Sequence, residues 1–202
     1  MEMESVWVGV RYIAVVPLFA LCGYLSAMNL LSSPQWHFPN VPLWGVFPIP
    51  FALLCCLYFM HTTRAALAAP AMLGVWCVSL WTANLVGILV PANNGVGALL
   101  PGGVGGFVGG LGLSLCTAIC YPSLLSSNRL YQGGLVGLIC GLSFTPWVGF
   151  YEANLNSFIP GPPIFPFAIW QAAMGTYLCV IYTEAGKAAQ PGDSEQSSLK
   201  LL

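Results

Sequence analysis

The chain has 202 residues, 57% hydrophobic and only 5% charged, with five Lys and Arg, six Asp and Glu, and a formal net charge of −1. Soluble domains carry about 25% charged residues, so this composition excludes a soluble enzyme. It also excludes a disordered chain, which would be polar and charge-rich, and a nucleic-acid binder, which would carry a basic patch. A mean hydropathy of +0.80 leaves a polytopic membrane protein.

A spanning helix needs roughly 17–25 mostly apolar residues. The first such run covers residues 12–31 and contains Pro17. Glu2 and Glu4 ahead of it are foreign to a signal peptide, and the run is long enough to span. Cys22 follows Phe19, Ala20 and Leu21, without the small residue that precedes a lipoprotein cysteine. The segment is therefore read as an uncleaved span. The stretch that follows carries Trp36, His37, Phe38, Pro39, Pro42 and Trp44, the composition of an interfacial loop. The second span is predicted over residues 44–60, interrupted by Pro48 and Pro50. His61 and Arg64 lie at its inner end.

The third span is predicted over residues 71–90. An earlier start at Ala65 would place Pro70 in the first turns, where proline is tolerated. The fourth covers residues 97–121 and is dense in glycine. Gly102, Gly106 and Gly110 recur every four residues on one helical face, and Gly105 and Gly109 form a second row beside it. The fifth covers residues 133–150 and repeats the device with Gly133, Gly137 and Gly141, ahead of Pro146. Small-xxx-small faces let helices approach closely where hydrocarbon surrounds them, so both stripes are expected in tight helix contacts. Both stripes lie in the first halves of oppositely directed spans, and on that basis they overlap only near Gly110 and Gly141. A proline-rich external segment around Phe158 to Phe167 leads into the sixth span, residues 164–183, which contains Pro166. Residues 1–184 thus form one membrane domain. Residues 185–202, with Gly186, Pro191, Gly192, Asp193, Ser194 and Glu195, read as a disordered cytoplasmic tail.

The basic residues test this count. With the N-terminus inside, Arg11, Arg64, Arg129, Lys187 and Lys200 all fall on the cytoplasmic side, and the external connections hold no Lys or Arg. That is the pattern of the positive-inside rule. The expected fold is an all-α, six-transmembrane-helix bundle with cytoplasmic N- and C-termini.

Intramembrane ionisable residues mark function by default. Here every acid and base maps to a tail, a loop or a span end. Proton pumps and voltage sensors are therefore disfavoured. The neutral polar groups remain. Asn84 and Thr82 in span three, Ser143 and Thr145 in span five, and Gln171 in span six share an outer layer about 10 Å deep. Glu152 sits just above them. These are the candidate solute-binding residues. The competing reading is plain interhelical hydrogen bonding, worth about 0.6 kcal/mol per contact.

All eight cysteines fall inside predicted spans, so no disulfide framework is indicated. Cys116 and Cys120 share a face, but cysteine in such positions behaves as a small buried hydrophobe. His37 and His61 lie at opposite ends of a span, so no metal centre and no haem is expected. No cofactor is implied. No paired acids, H-E-x-x-H, G-x-S-x-G or phosphate loop is present, which argues against an enzyme.

The expected function is that of a carrier or channel, or its membrane subunit, for a small neutral or amphipathic solute. The alternative is a non-catalytic structural or accessory subunit of a membrane complex. A membrane enzyme using thiol or lipid chemistry is a second alternative. The implied partners are the lipid bilayer and either a second copy of the chain or a membrane subunit, without nucleic acid.

Overall fold

Long apolar runs with few interior breakers dictate helix after helix, and the described secondary structure is helical throughout. The computed structural model describes residues 13–26, 48–58, 65–90, 95–144 and 164–189. Six α-helices occupy them: α1 (Ile13–Ser26), α2 (Ile49–Tyr58), α3 (Ala65–Leu89), α4 (Gly95–Cys120), α5 (Ser127–Gly141) and α6 (Ile164–Ala189). Segments 35–47 and 151–163, residues Thr145, Pro146 and Glu152, the basic residues Arg11 and Arg64, and the tail from 190 onward lie outside the described residues.

Several boundaries differ from the sequence expectation, each for a local reason. Pro48 and Pro50 do not interrupt α2. They start it: Pro48 precedes the helix, its carbonyl accepts from Ala52 N at 2.8 Å, and Pro50 sits in the first turn. A first-turn proline loses no helical hydrogen bond. Pro166 likewise falls in the first turn of α6. The third helix takes the earlier start, at Ala65, with Pro70 inside it. The fifth begins at Ser127 rather than at 133, because Ser126 caps it: the extended Ser126 accepts from Arg129 N at 3.3 Å. A short 3-10 turn, Leu142–Phe144, follows α5. The last helix continues past the expected end at 183 to Ala189, into the segment expected to be disordered.

Two helices are long and apolar enough to cross a membrane, Ala66–Leu89 and Leu99–Cys120, each with hydropathy 1.7. At 1.5 Å per residue, 24 residues span about 36 Å, against a hydrocarbon core of about 30 Å.

The centre of the fold is α4, held between α3 and α5. Its nine glycines would cost on the order of 8 kcal/mol relative to alanine in an isolated helix. Contacts must offset that cost, and the two glycine rows show how. The row Gly102, Gly106 and Gly110 faces α5. A Cβ on Gly106 would collide with the Gly137 carbonyl and lie 2.9 Å from Gly141 Cα. A Cβ on Gly110 would collide with the Gly133 carbonyl and lie 3.1 Å from Gly137 Cα, and one on Gly141 would strike the Gly102 carbonyl. The stripes therefore meet along their whole length, and not only near Gly110 and Gly141 as the span ends suggested. In place of each absent Cβ, a Cα hydrogen points at a carbonyl across the seam, the geometry of a Cα–H···O contact worth about 0.5–1 kcal/mol.

The second row faces α3. A Cβ on Gly105 would lie 2.7 Å from Ala83 Cβ, and one on Gly109 would lie 2.9 Å from both Ser79 Oγ and Trp170. Ser79 Oγ donates to the Gly105 carbonyl at 2.6 Å, a buried bond that pins α3 to α4.

The remaining helices complete one core. α6 packs on α5, and Tyr177 donates to the Arg129 carbonyl at 2.6 Å. α1 lies on α6 through Gly23, whose Cβ would come within 2.6 Å of Ala168 N, and through Phe19, which covers Gly175. One stripe of α1, Val15, Phe19, Cys22 and Ser26, is buried, while Ile13 and Leu21 on its other side are exposed. Phe51 of α2 stands edge-on to Phe19, with ring centres 5.1 Å apart, and touches Trp170 at 6.3 Å. Such pairs add about 0.5–1.5 kcal/mol beyond area burial.

Candidate functional site

Between α1, α3 and α6 the core contains polar atoms among aromatic walls. Gln171 of α6 is completely buried. Its Nε2 donates to Ser26 Oγ of α1 at 3.0 Å. This bond forms because Gly23 and Gly175 bring the two helices close enough for a serine and a glutamine to meet. Gln171 Oε1 has no hydrogen-bond partner among the described residues. A buried acceptor left in that state costs roughly 1–3 kcal/mol.

A matching donor lies on α3. Trp76 is 7% exposed, and its indole N–H is also without a partner among the described residues. The Trp76 ring packs against Phe167 at 5.4 Å and Trp170 at 5.7 Å. Those two residues flank Gln171 on α6, one turn before it and immediately before it. A cavity of about 10 Å³ is walled by Phe51, Met72, Trp76, Leu113 and Trp170, and neither Gln171 nor Ser26 lines it. That volume is about the size of one water, but an apolar lining offers too few polar partners to hold one. The walls are apolar, and the two spare atoms are a neutral acceptor and a neutral donor. The arrangement suits a hydroxyl, an amide or a water. It lacks the paired titratable groups that acid–base chemistry needs.

The other candidates lie elsewhere. Thr82 donates to the Val78 carbonyl of its own helix at 2.7 Å. Ser143 donates to the Cys140 carbonyl at 2.6 Å, again locally. Asn84 is exposed on α3. None of these hydrogen bonds joins Thr82, Asn84 or Ser143 to Gln171. Thr145 and Glu152 lie outside the described residues. Ser26 and Trp76 were not singled out in the sequence. Ser26 sits one turn after Gly23 on α1, and that small-residue pair is the signal that marks a close helix contact there.

None of the eight cysteines is in a disulfide, and Cys22, Cys55, Cys116, Cys120 and Cys179 belong to the hydrophobic core. Among the described residues, no three His, Cys, Asp or Glu side chains gather to hold a metal ion. Comparison with protein-family models, curated proteins and solved structures found no match.

Proposed function

We propose that the chain is a multi-pass integral membrane protein of six spans, with both termini cytoplasmic, that carries or conducts a small neutral solute. Three features support the membrane placement. α3 and α4 have the length and hydropathy of spans. Leu67, Trp81, Ile88 and Leu89 are each more than half exposed on α3, as suits a helix surrounded by hydrocarbon. The five basic residues fall on one side of the six-span topology.

The observation that carries the solute reading is the pair of unpartnered atoms, Gln171 Oε1 and the Trp76 indole N–H, buried in one aromatic core. On this reading a solute reaches these atoms when α1 and α6 part, donating to Gln171 and accepting from Trp76. The matching solutes are uncharged and carry a hydroxyl or amide. A charged one would meet no counter-ion here, and its desolvation would go uncompensated.

The test is flux into liposomes containing the purified protein, with glycerol, urea, formamide and acetamide as solutes. At least one should cross faster than in protein-free liposomes, and Gln171→Leu should abolish the difference. A folded protein that passes none of them, or a flux unchanged by Gln171→Leu, rejects the reading.

A second reading, a structural or accessory membrane subunit, is favoured by the broad apolar face of α3. Co-purification of a stoichiometric membrane partner, with no flux of its own, would select it.

A further inference from the structure

The two sides of α3 are both apolar but are used differently. Ala68, Met72, Trp76 and Ser79 are buried against the rest of the bundle. Leu67, Pro70, Gly74, Cys77, Trp81, Asn84 and Ile88 lie on the opposite side, at alternating spacings of three and four. All of them are exposed except Cys77, which is half-buried. Leu67 is 66%, Trp81 57% and Ile88 68% exposed. Residues at these spacings share one face, the seam through which a left-handed helix pair would meet. From Leu67 to Ile88 it is about 32 Å long, close to the thickness of the hydrocarbon core.

Two residues in this seam do not suit a surface that faces lipid alone. Asn84 is exposed between Trp81 and Ile88, on a helix segment without an acid or base between 66 and 89. No hydrogen bond joins its amide to a described residue, and an amide left bare in hydrocarbon is costly. Gly74 is the second. Among the described residues a Cβ there would meet nothing within 4 Å, so none of them requires glycine, in contrast to Gly105 or Gly106.

We propose that this face is the contact between two copies of the chain, paired through α3 about a two-fold axis along the membrane normal. Such an axis runs the two helices in the same direction and sets each seam residue against its own counterpart. An amide carries both a donor and an acceptor, so Asn84 is the complement of Asn84 in the second copy. The face bears no charge, so two identical copies meet without repulsion. Gly74 opposite Gly74 lets the backbones approach, and a single seam Asn sets the register. The inference rests on the membrane placement of α3 and is independent of the solute reading.

The test uses the full chain with Cys77 as its sole cysteine, in native membranes and in liposomes. Mild oxidation should link two copies through Cys77. Asn84→Leu should weaken the dimer roughly 3- to 20-fold in a dilution series, as loss of an interhelical hydrogen bond implies. Gly74→Ile should weaken it too, while leaving the monomer folded, because the space beside Gly74 is open. A protein that resists carbonate extraction yet stays monomeric at every density overturns the proposal. So does a dimer indifferent to Asn84→Leu and Gly74→Ile, or a Cys77 that cross-links to a different protein. Release by carbonate overturns it as well, and identifies the membrane placement as the fault.

Discussion

The closest approach in the fold is the seam between α4 and α5, and Gly106→Ala perturbs it most directly. The added methyl would collide with the Gly137 carbonyl and sit 2.9 Å from Gly141 Cα and 3.0 Å from Gly137 C. All three neighbours are backbone, so no side chain can swing away. The helices must separate by about 1 Å, and a gap of that size forfeits a quarter to a half of each dispersion contact along the seam. It also stretches the Cα–H···O contacts at the Gly102, Gly106 and Gly110 levels, worth about 0.5–1 kcal/mol each. Helix propensity returns less than about 1 kcal/mol. The expected net loss is about 2 kcal/mol. Gly87→Ala is the control: its Cβ would lie 3.6 Å from Pro101 Cγ, an ordinary contact, so it should be neutral or stabilising by up to about 1 kcal/mol. The assay is reversible unfolding in bicelles, followed by Trp fluorescence. Equal stabilities for the two variants would refute the backbone-contact account of the seam.

Gln171→Leu should leave stability within about 1 kcal/mol of the parent, because losing the Ser26 bond is offset by removing an unpartnered carbonyl; a loss beyond about 3 kcal/mol in the same assay would show that the Oε1 atom is satisfied. Ser79→Ala, which removes the 2.6 Å bond to Gly105, should cost about 1 kcal/mol, and an unchanged melting midpoint would remove that bond from the account of α3–α4 packing. Gly175→Leu should release α1 from α6, because Phe19 already fills that space; hydrogen exchange should rise selectively in residues 13–26, and uniform exchange would contradict the docking described.

The helices were legible because long apolar runs need no tertiary information, although among the described residues only α3 and α4 have the length and hydropathy of spans. The glycine rows were legible for the same reason: spacing alone puts Gly102, Gly106 and Gly110 on one face. Their partners were misjudged because the register was taken from span ends instead of from the connection. Each contacting pair, Gly102 with Gly141, Gly106 with Gly137, and Gly110 with Gly133, is centred on the same point between Tyr121 and Pro122. A tight antiparallel hairpin requires that symmetry, and Ser126 as a helix cap announces the short connection. Asn84 and Gln171 were placed at equal depth, yet one is exposed and the other completely buried. Depth follows from position along the helix. The facing direction of α3 does not, because that helix is apolar on every side. The meeting of Ser26 with Gln171, 145 residues apart, depends on how α1 docks, which no local pattern encodes.

The central claim is a membrane bundle of six spans with both ends on one side. Single cysteines placed at 35, 93 and 155, and tags at residues 1 and 202, test it in sealed cells of known sidedness, in a background lacking the native cysteines. The account predicts labelling of all three cysteines by an impermeant reagent from outside, with both tags shielded until the membrane is opened. A tag reached from outside, or a protein released by alkaline carbonate, would contradict it.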